Sequence, residues 1–328
     1  MKHLLRLLSM LSLARSFHPR ISRPTTTRLF STMTTNPVEI PIDEAIANFD
    51  DYVFLDGSWW LGPRETANRQ DFETGPRIKG SHFFDIDDIA SKGPELNPQN
   101  LPHMMPPPAL FAAYMDACGI ANEQPVIVYG QAGCPYIHRS WLQMRTMGHD
   151  KTKVLQGSLQ DWIDRGGPIE EGPATILRAE NLDLSKQPTY QAKPAINVVD
   201  KAEVLHAIQS ASNDDVIVDA RSADRFYARA PEPRPGLRGG HMPGAKNVFF
   251  MDVLSPDNPL VLRPKDELVQ LFQNVDGTRI IASCGSGATA CTLIAGMMAS
   301  GKDPSQLYLY DGSWSEWGAD DDVPIEEK

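Results

Sequence analysis

The chain repeats itself, and this internal repetition constrains the fold more than any other feature of the sequence. Each half contains four blocks in the same order. They are an apolar run that ends in aspartate, a glycine turn followed by an apolar run, a further apolar run typical of a strand, and a Gly-Ser-x-x-acid-Trp motif. These blocks lie at residues 53–56, 79–84, 126–129 and 157–162, and again at 216–219, 243–250, 279–282 and 312–317. Such collinear self-similarity predicts two copies of one structural unit.

Helical patterns lie between the short apolar runs. Residues 108–118 form one such pattern, with Gly119 as a stop signal, and residues 288–299 form another, closed by Gly301. Strands that alternate with helices are typical of α/β units around a mainly parallel sheet. We therefore predict an α/β fold in which each half is a mainly parallel sheet flanked by helices.

The stretch 166–194 separates the two copies. It is rich in Gly, Pro, Glu and Lys and shows little hydrophobic periodicity, which is typical of a connecting segment. We interpret it as a linker between an N-terminal domain at 40–165 and a C-terminal domain at 195–328. A length of 328 residues agrees with about two domains. A cleft between two such domains is a favoured place for a binding site.

Composition excludes several classes of function. The formal net charge of −11 argues against a nucleic-acid partner bound through a basic surface. No stretch approaches the roughly 18 uninterrupted apolar residues of a membrane span, so we predict no membrane partner. The four cysteines include no C-x-x-C pair, which gives no support to a zinc site or a dithiol redox motif. We predict neither a metal nor a cofactor.

The first 30 residues differ from the rest of the chain. They carry six Lys and Arg residues, scattered Ser and Thr, and no acidic residue. This pattern is typical of a mitochondrial transit peptide, and we assign one to residues 1–32, with cleavage near Ser31. A secretory signal peptide and a retained basic tail are the alternatives. The predicted location is the mitochondrial matrix, and an internal start at Met33 would give a cytosolic form.

The segment 280–290 carries the strongest chemical signal. An apolar run ends at Cys284, a loop of small residues follows, and a helix then begins. In that geometry, backbone N–H groups and the helix N-terminus favour the thiolate form of a cysteine, which is the nucleophile. Gly285 and Gly287 allow the close backbone approach that such a loop needs. The alternative is a buried structural cysteine, a common environment for this residue.

Other cysteine chemistries fit less well. A cysteine phosphatase needs an arginine six residues after the nucleophile to clamp phosphate, and this chain has Ala290 there. Cys291 falls within the predicted helix and is interpreted as core. In the first half, Gly130 occupies the matching turn and Cys134 is displaced by four residues. We therefore predict that the first domain is non-catalytic and serves as support and cleft wall.

Several motifs together resemble one known family. The C-G-S-G-A-T-A loop, the G-S-W-S-E-W ending and the two similar halves resemble the rhodanese superfamily and, within it, the two-domain 3-mercaptopyruvate sulfurtransferases. The P-E-P-R block at 231–234 and the G-H-M-P-G-A block at 240–245 strengthen the resemblance, which covers about residues 40–328. It implies tandem rhodanese-like domains. It also implies transfer of sulfur from mercaptopyruvate to Cys284 as a persulfide, with release of pyruvate, to an acceptor such as a thiol, thioredoxin or cyanide.

The resemblance also implies the site residues. Arg225 and Arg234 match the substrate arginines, and guanidinium forks suit a carboxylate with an adjacent oxo group. Asp87, His103 and Ser286 match a proposed proton relay, although Asp87 and His103 could instead form an interdomain hydrogen bond. The remaining substrate-binding residues implied by the match are those of the cysteine loop, namely Gly285, Gly287, Ala288 and Thr289.

The chain departs from the family pattern at two positions. Ala288 stands where the family usually has Val, and Asp224 stands where a Gly commonly precedes the arginine. We expect Asp224 either to draw Arg225 away from the substrate or to weaken the anion site. We interpret Arg229 and Arg238, which lack motif support, as surface charges.

Three other functions compete with the main interpretation. A thiosulfate:cyanide sulfurtransferase would carry basic residues just after Cys284, where this chain has the neutral Gly285 and Ser286. A persulfide relay protein for tRNA thiolation would use the same cysteine chiefly to load a partner. A catalytically silent interaction protein would not need the cysteine at all.

Overall fold

The computed structural model of the protein describes residues 36–62, 67–194, 197–210 and 214–327. The proposed transit peptide at 1–32, with Ser31 and the alternative start at Met33, lies outside these residues. In the described ranges, no helix has both the length and the apolar character needed to cross a membrane. Residues 36–328 belong to one compact unit.

The first half contains seven strands and five helices within the described residues. The strands are β1 (Glu39–Pro41), β2 (Val53–Asp56), β3 (Arg77–Ile78), β4 (His82–Phe83), β5 (Val126–Gly130), β6 (Thr152–Ser158) and β7 (Ile169–Glu170). The helices are α1 (Ile42–Ala47), α2 (Ala67–Thr74), α3 (Pro108–Ala117), α4 (His138–Thr146) and α5 (Leu159–Asp164). Short 3₁₀ turns lie at Phe49–Asp51 and Ala179–Asn181.

The second half contains five strands and five helices within the described residues. The strands are β8 (Val198–Val199), β9 (Asp215–Asp219), β10 (Lys246–Asn247), β11 (Arg279–Ser283) and β12 (Leu307–Tyr310). The helices are α6 (Lys201–Gln209), α7 (Ala223–Phe226), α8 (Lys265–Leu271), α9 (Ala290–Ser300) and α10 (Ser313–Trp317). Phe250–Val253 and Pro304–Gln306 form 3₁₀ turns.

Each half builds one five-stranded parallel sheet. The strand order is β1-β6-β5-β2-β4 in the first sheet and β8-β12-β11-β9-β10 in the second. The two orders are equivalent, because the strands of each sheet, counted along the chain, lie in the order first, fifth, fourth, second, third. The pairs within both sheets are parallel, which confirms the predicted α/β class.

The helix predicted at 288–299 begins two residues later than expected. It spans Ala290–Ser300 and ends, as predicted, at Gly301, which adopts a left-handed conformation with φ 105°. The residues before it form the cysteine loop, in which Gly287 has φ 80° and therefore cannot belong to the helix.

The stretch 166–194 packs along the first half. Its strand β7 pairs antiparallel with β3, an element that the sequence did not indicate. The buried Tyr190 ring meets Phe111 of α3 at 5.8 Å, and the Asp116 carboxylate accepts hydrogen bonds from the Thr189 and Tyr190 N–H groups. The segment is therefore anchored to the first half before it reaches the second.

The two halves share a hydrophobic core. Helix α4 of the first half packs against helix α9 of the second. One buried cluster contains Val128 and Trp141 from the first half together with Val218, Ala282 and Leu293 from the second. This shared core fixes the first half beside the carboxyl ends of β9 and β11, where the chemically interesting residues lie.

Candidate active site

Cys284 is the first residue after strand β11 and is 2% exposed. The loop behind it is tied to the start of α10. The Cys284 N–H donates to Ser313 Oγ at 3.1 Å, and its carbonyl accepts from the Trp314 N–H at 3.0 Å. The Gly285 carbonyl accepts from both the N–H and the hydroxyl of Ser315. The G-S-W-S-E-W phrase therefore supports the cysteine loop.

The backbone of the loop offers free donors. Within the described residues, the N–H groups at 285–289 donate to no oxygen or sulfur atom, so none of them bonds the Cys284 sulfur in this structure. These N–H groups are available to an anion, as in other loops that precede a helix N-terminus. The sequence predicted that these N–H groups would point at the Cys284 sulfur, but in this structure they make no hydrogen bond to it.

Gly287 is packed against a charged pair that joins the two halves. A Cβ atom built on Gly287 would lie 2.8 Å from the Asp311 carbonyl oxygen and 3.0 Å from Arg139 Nη1. Arg139 comes from α4 and is fully buried, and it donates to Asp311 Oδ1 at 2.6 Å and to the His103 carbonyl. Burial lowers the pKa of Arg139, but the charges of Asp311 and Cys291 and the hydrogen bonds to them together raise that pKa overall.

Arg225 is held in place by Glu232. Its Nη2 donates to Glu232 Oε2 at 2.5 Å and its Nε to Oε1 at 3.3 Å. The same carboxylate accepts from Arg221 Nη1 at 2.7 Å. Arg221 is buried, donates to Asp219, and lies 4.1 Å from the centroid of the Trp314 ring. Asp219 ends β9, so this chain of charges begins on the rigid sheet.

Arg234 is placed differently. It makes no hydrogen bond or ion pair within the described ranges, although it lines the same cavity as Cys284 and Arg225. Burial lowers the pKa of Arg234, the neighbouring Arg225 charge lowers it further, and the charge of Cys284 opposes both. Arg234 is therefore a partly desolvated cation close to the nucleophile.

The cavity in front of Cys284 measures about 210 Å³ and has walls from both halves. Trp59 and Tyr136 of the first half face Phe250 of the second. The Tyr136 ring lies 5.1 Å from that of Trp59 and 6.1 Å from that of Phe250, measured between centroids. Burial raises the pKa of Tyr136, as do the nearby charges of Cys134 and Cys284.

The structure brings together two of the three predicted relay residues. His103 Nδ1 bonds Asp87 Oδ1, and Trp59 Nε1 donates to Asp87 Oδ2 at 2.6 Å. Burial raises the pKa of Asp87, but the His103 hydrogen bond and charge, with the Trp59 bond, lower it overall. His103 is buried and its Nε2 has no hydrogen-bond partner in the described residues. Ser286 lines the cavity but does not bond His103 here.

The other described cysteines are poor nucleophiles. Burial raises the pKa of Cys118 and of Cys291 to about 12 in each case. Cys134 is fully buried and its thiol donates to the Trp59 carbonyl. Of the four cysteines, Cys284 is the one that lines the cavity with the arginines.

Two expectations about charged residues are wrong. Asp224 does not draw Arg225 away, because its ion pair is with Arg229 at 3.6 Å while Arg225 is engaged by Glu232. Arg238 is not a surface charge, since its guanidinium donates to the carbonyls of Trp317, Gly318 and Val323. Arg229 is exposed, as expected.

Sequence reasoning missed several residues of the site. Glu232 stood within the P-E-P-R block, but its role depends on two arginines elsewhere in the chain. Trp59 and Tyr136 are far from Cys284 in sequence, and only the packing of the two halves brings them to the cavity. Arg139 gave no signal, because nothing in a single helix sequence marks a buried cross-half ion pair.

Comparison with known proteins adds to this geometry. Residues 201–320 match the model of the rhodanese-like domain. The chain is 34% identical over 312 residues to thiosulfate/3-mercaptopyruvate sulfurtransferase 1, mitochondrial, of Arabidopsis thaliana, which covers 90% of this chain and 79% of that protein. It is 35% identical over 268 residues to the 3-mercaptopyruvate sulfurtransferase of Escherichia coli K12, covering 81% and 88%.

Solved structures agree. The crystal structure of SseA from Escherichia coli, described as a 3-mercaptopyruvate sulfotransferase with the rhodanese fold, matches with a TM-score of 0.68 and 30% identity over 86% of this chain and all of that chain. The crystal structure of Tum1 from Saccharomyces cerevisiae matches with a TM-score of 0.72 at 24% identity, over 89% and 98%, which supports the fold alone.

Proposed function

This chain belongs to the rhodanese family and is a sulfurtransferase, and we propose that it takes sulfur from 3-mercaptopyruvate through a persulfide on Cys284. The observation that carries the proposal is the placement of Cys284 in one cavity with Arg225 and Arg234. The relatives named for 3-mercaptopyruvate support the choice of donor.

The chemistry begins with attack of the Cys284 thiolate on the sulfur atom of mercaptopyruvate. A sulfur–sulfur bond forms, the carbon–sulfur bond breaks, and its electron pair passes to carbon as the enolate of pyruvate. One proton converts this enolate to pyruvate. The persulfide then transfers its outer sulfur to an acceptor thiol or to cyanide, which restores the Cys284 thiolate.

The two arginines suit the donor's anionic end. Arg225 presents the edge of its guanidinium that Glu232 does not occupy, and Arg234 has its donors unpaired within the described residues. Charge-assisted hydrogen bonds from such groups hold a carboxylate while the sulfur faces Cys284. The Ser286 hydroxyl and the unpaired N–H groups of the loop then donate hydrogen bonds to the ketone oxygen, where negative charge develops.

The Asp87–His103 pair takes a supporting role in this proposal. His103 presents an unpaired Nε2 within the buried region beside Trp59, and Asp87 fixes its ring through Nδ1. A histidine oriented in this way is suited to proton transfer at the substrate. Because His103 does not bond Ser286 in this structure, a complete relay would need a shift on substrate binding.

We assign the chemistry to the second half, 195–328, and a supporting role to the first, 40–165, with 166–194 connecting them. The matrix is the proposed location, supported by the basic first 30 residues and by the mitochondrial relative in Arabidopsis thaliana. A thiol such as that of thioredoxin is the proposed acceptor.

The test is mass spectrometry after brief exposure to mercaptopyruvate. We expect a gain of about 32 Da, the mass of one sulfur atom held as a covalent intermediate, on Cys284 of the wild type and none in Cys284→Ser. Cys291→Ser is the matched control, because its buried thiol should not react. Persulfide on Cys134 or Cys291 instead would contradict the assignment.

Thiosulfate is the second candidate donor, because the relative in Arabidopsis thaliana is named for both donors. Comparing kcat/KM for the two donors, with cyanide as the common acceptor, separates them. We expect mercaptopyruvate to be preferred, because no cationic side chain immediately follows Cys284. A wild-type preference for thiosulfate would favour the second candidate.

A further inference from the structure

Glu232 is a buried carboxylate behind the active-site cavity, next in sequence to the lining residue Pro233. Its side chain is 2% exposed, and the hydrogen bonds that it accepts within the described residues come from Arg221 and Arg225. An isolated carboxylate in such a place would be strongly destabilised, so the two arginines are its counter-charges. In return, it fixes the direction in which Arg225 faces the cavity.

The charges behind the cavity form a balanced chain. Asp219 binds Arg221, Arg221 binds Glu232, and Glu232 binds Arg225. The formal charges of these two carboxylates and two guanidinium groups sum to zero.

Arg234 is left as the cation without a bonded counter-charge in the described lining. The nearby Asp87 is already engaged by His103 and Trp59. Of the three arginines that line the cavity, Arg221 and Arg225 are therefore paired with carboxylates, and the guanidinium of Arg234 is the one left unpaired within the described residues.

We propose that Glu232 is a specificity-determining residue that matches the cavity to donors with a single negative charge. The inference rests on the proposed function and goes beyond it, because it explains donor choice by charge balance. Mercaptopyruvate carries one carboxylate, whereas thiosulfate is a dianion. With Glu232 neutralising Arg225, the second charge of a dianion meets no second unbalanced cation.

The expected size of the effect follows from Coulomb's law. One unit charge at about 5–7 Å in a half-buried site changes anion binding by roughly 10- to 100-fold for each charge on the anion. Removing the Glu232 charge should therefore favour a dianion over a monoanion by the same factor. This effect differs from a loss of positioning, which would weaken both donors alike.

The test replaces Glu232 with glutamine, which keeps the size of the side chain and removes its charge. We expect Glu232→Gln to raise the ratio of kcat/KM for thiosulfate to that for mercaptopyruvate by roughly 10- to 100-fold, with thiocyanate formation from cyanide as the readout for both. Inhibition by sulfate, a dianion, should strengthen by a similar factor relative to inhibition by pyruvate, a monoanion. An unchanged donor ratio and an unchanged inhibitor ratio would overturn the inference.

Asp215→Asn is the matched control. Asp215 is also a nearly buried carboxylate that accepts from Nε and Nη2 of one arginine, Arg279, but it lies at the opposite end of β9. Its replacement should leave both ratios unchanged. A similar rise in Asp215→Asn would mean that the effect is not local to the cavity, and would also overturn the inference.

Ser222→Lys keeps the inference testable if Glu232→Gln does not fold. Ser222 is half-buried in the cavity wall, so a lysine there adds one positive charge while Glu232 stays in place. We expect both ratios to move in the direction given for Glu232→Gln, and no movement would contradict charge matching. A wild type that transfers no sulfur from mercaptopyruvate would instead contradict the proposed function, so the two failures are distinguishable.

Discussion

Gly287 gives the sharpest test of how the cysteine loop is built. Its φ of 80° lies in the left-handed region, where an L residue with a Cβ atom pays about 1–2 kcal/mol. The added Cβ of Gly287→Ala would also lie 2.8 Å from the Asp311 carbonyl oxygen. This oxygen belongs to the backbone at the start of the α10 turn, so it cannot move aside as a flexible side chain would.

Overpacking of this kind typically costs a further 1–3 kcal/mol, about the same order as the conformational cost. We therefore expect Gly287→Ala to lower the free energy of unfolding by about 2–5 kcal/mol in a denaturant titration. The relaxation must push the loop away from Asp311 and Arg139. Because a displacement of about 1 Å can reduce a rate roughly 100-fold, we expect a comparable fall in kcat/KM for mercaptopyruvate.

Gly285→Ala is the matched control. The φ of Gly285 lies outside the left-handed region, and its added Cβ would meet the far end of the Arg225 side chain at 3.0 Å. We expect the free energy of unfolding to change by less than about 1 kcal/mol, with a several-fold rise in KM as Arg225 shifts. Equal effects on unfolding in the two variants, or wild-type behaviour of Gly287→Ala, would refute this account of the loop.

Three further predictions concern charge. Arg225→Ala and Arg234→Ala should each lower kcat/KM by a factor that corresponds to about 2–4 kcal/mol, and the lysine variants should recover only part of the lost kcat/KM. Only Arg225→Ala should also lower the free energy of unfolding, because it leaves the Glu232 charge with one arginine fewer. Wild-type kinetics in both alanine variants would remove these arginines from the site. Burial raises the pKa of Glu39 to about 7, so the folded state binds this proton more tightly than the unfolded state. The free energy of unfolding should therefore fall by about 3 kcal/mol as the pH rises from about 4.5 to about 7. Glu39→Gln should flatten this fall in denaturant titrations, and the same pH dependence in the wild type and the variant would contradict the prediction. The double variant Gly285→Arg with Ser286→Lys should raise the ratio of kcat/KM for thiosulfate to that for mercaptopyruvate. The φ of Gly285 tolerates a side chain, and the new side chain would displace Arg225 and so weaken mercaptopyruvate use. An unchanged ratio would count against the loop argument.

The sheets were predictable from sequence because buried parallel strands appear as short continuous apolar runs. Such runs at 216–219 and 279–282 became β9 and β11, and the small-residue segment after Cys284 became the loop before α9. These features depend on neighbours in the chain, so local sequence specifies them.

The rest of the site depends on tertiary placement. Arg238 looked like a surface charge because its partners are carbonyl groups some 80 residues away, near the C-terminus. Glu232 gained its role from Arg221 and Arg225, and a single sequence does not show which acid faces which arginine. The cavity wall from Trp59 required the packing of the two halves, which hydrophobic periodicity does not specify.

The two halves have equivalent strand orders, but among the residues that the structure describes the arginine scaffold lies in the second half. Asp56 and Asp219 occupy matching places at the ends of β2 and β9. Asp219 is paired with Arg221, whereas Asp56 accepts hydrogen bonds from the Ser58 N–H and from Gln131, and burial raises its pKa to about 6.

In the part of the first half that the structure describes, no charged chain therefore extends from Asp56 toward the turn at Gly130, a position that also carries no cysteine. A site for an anionic donor needs both the nucleophile and balanced cations held by a rigid sheet. The first half has neither at this position, and this difference is the physical reason for assigning the chemistry to the second half and the cavity wall to the first.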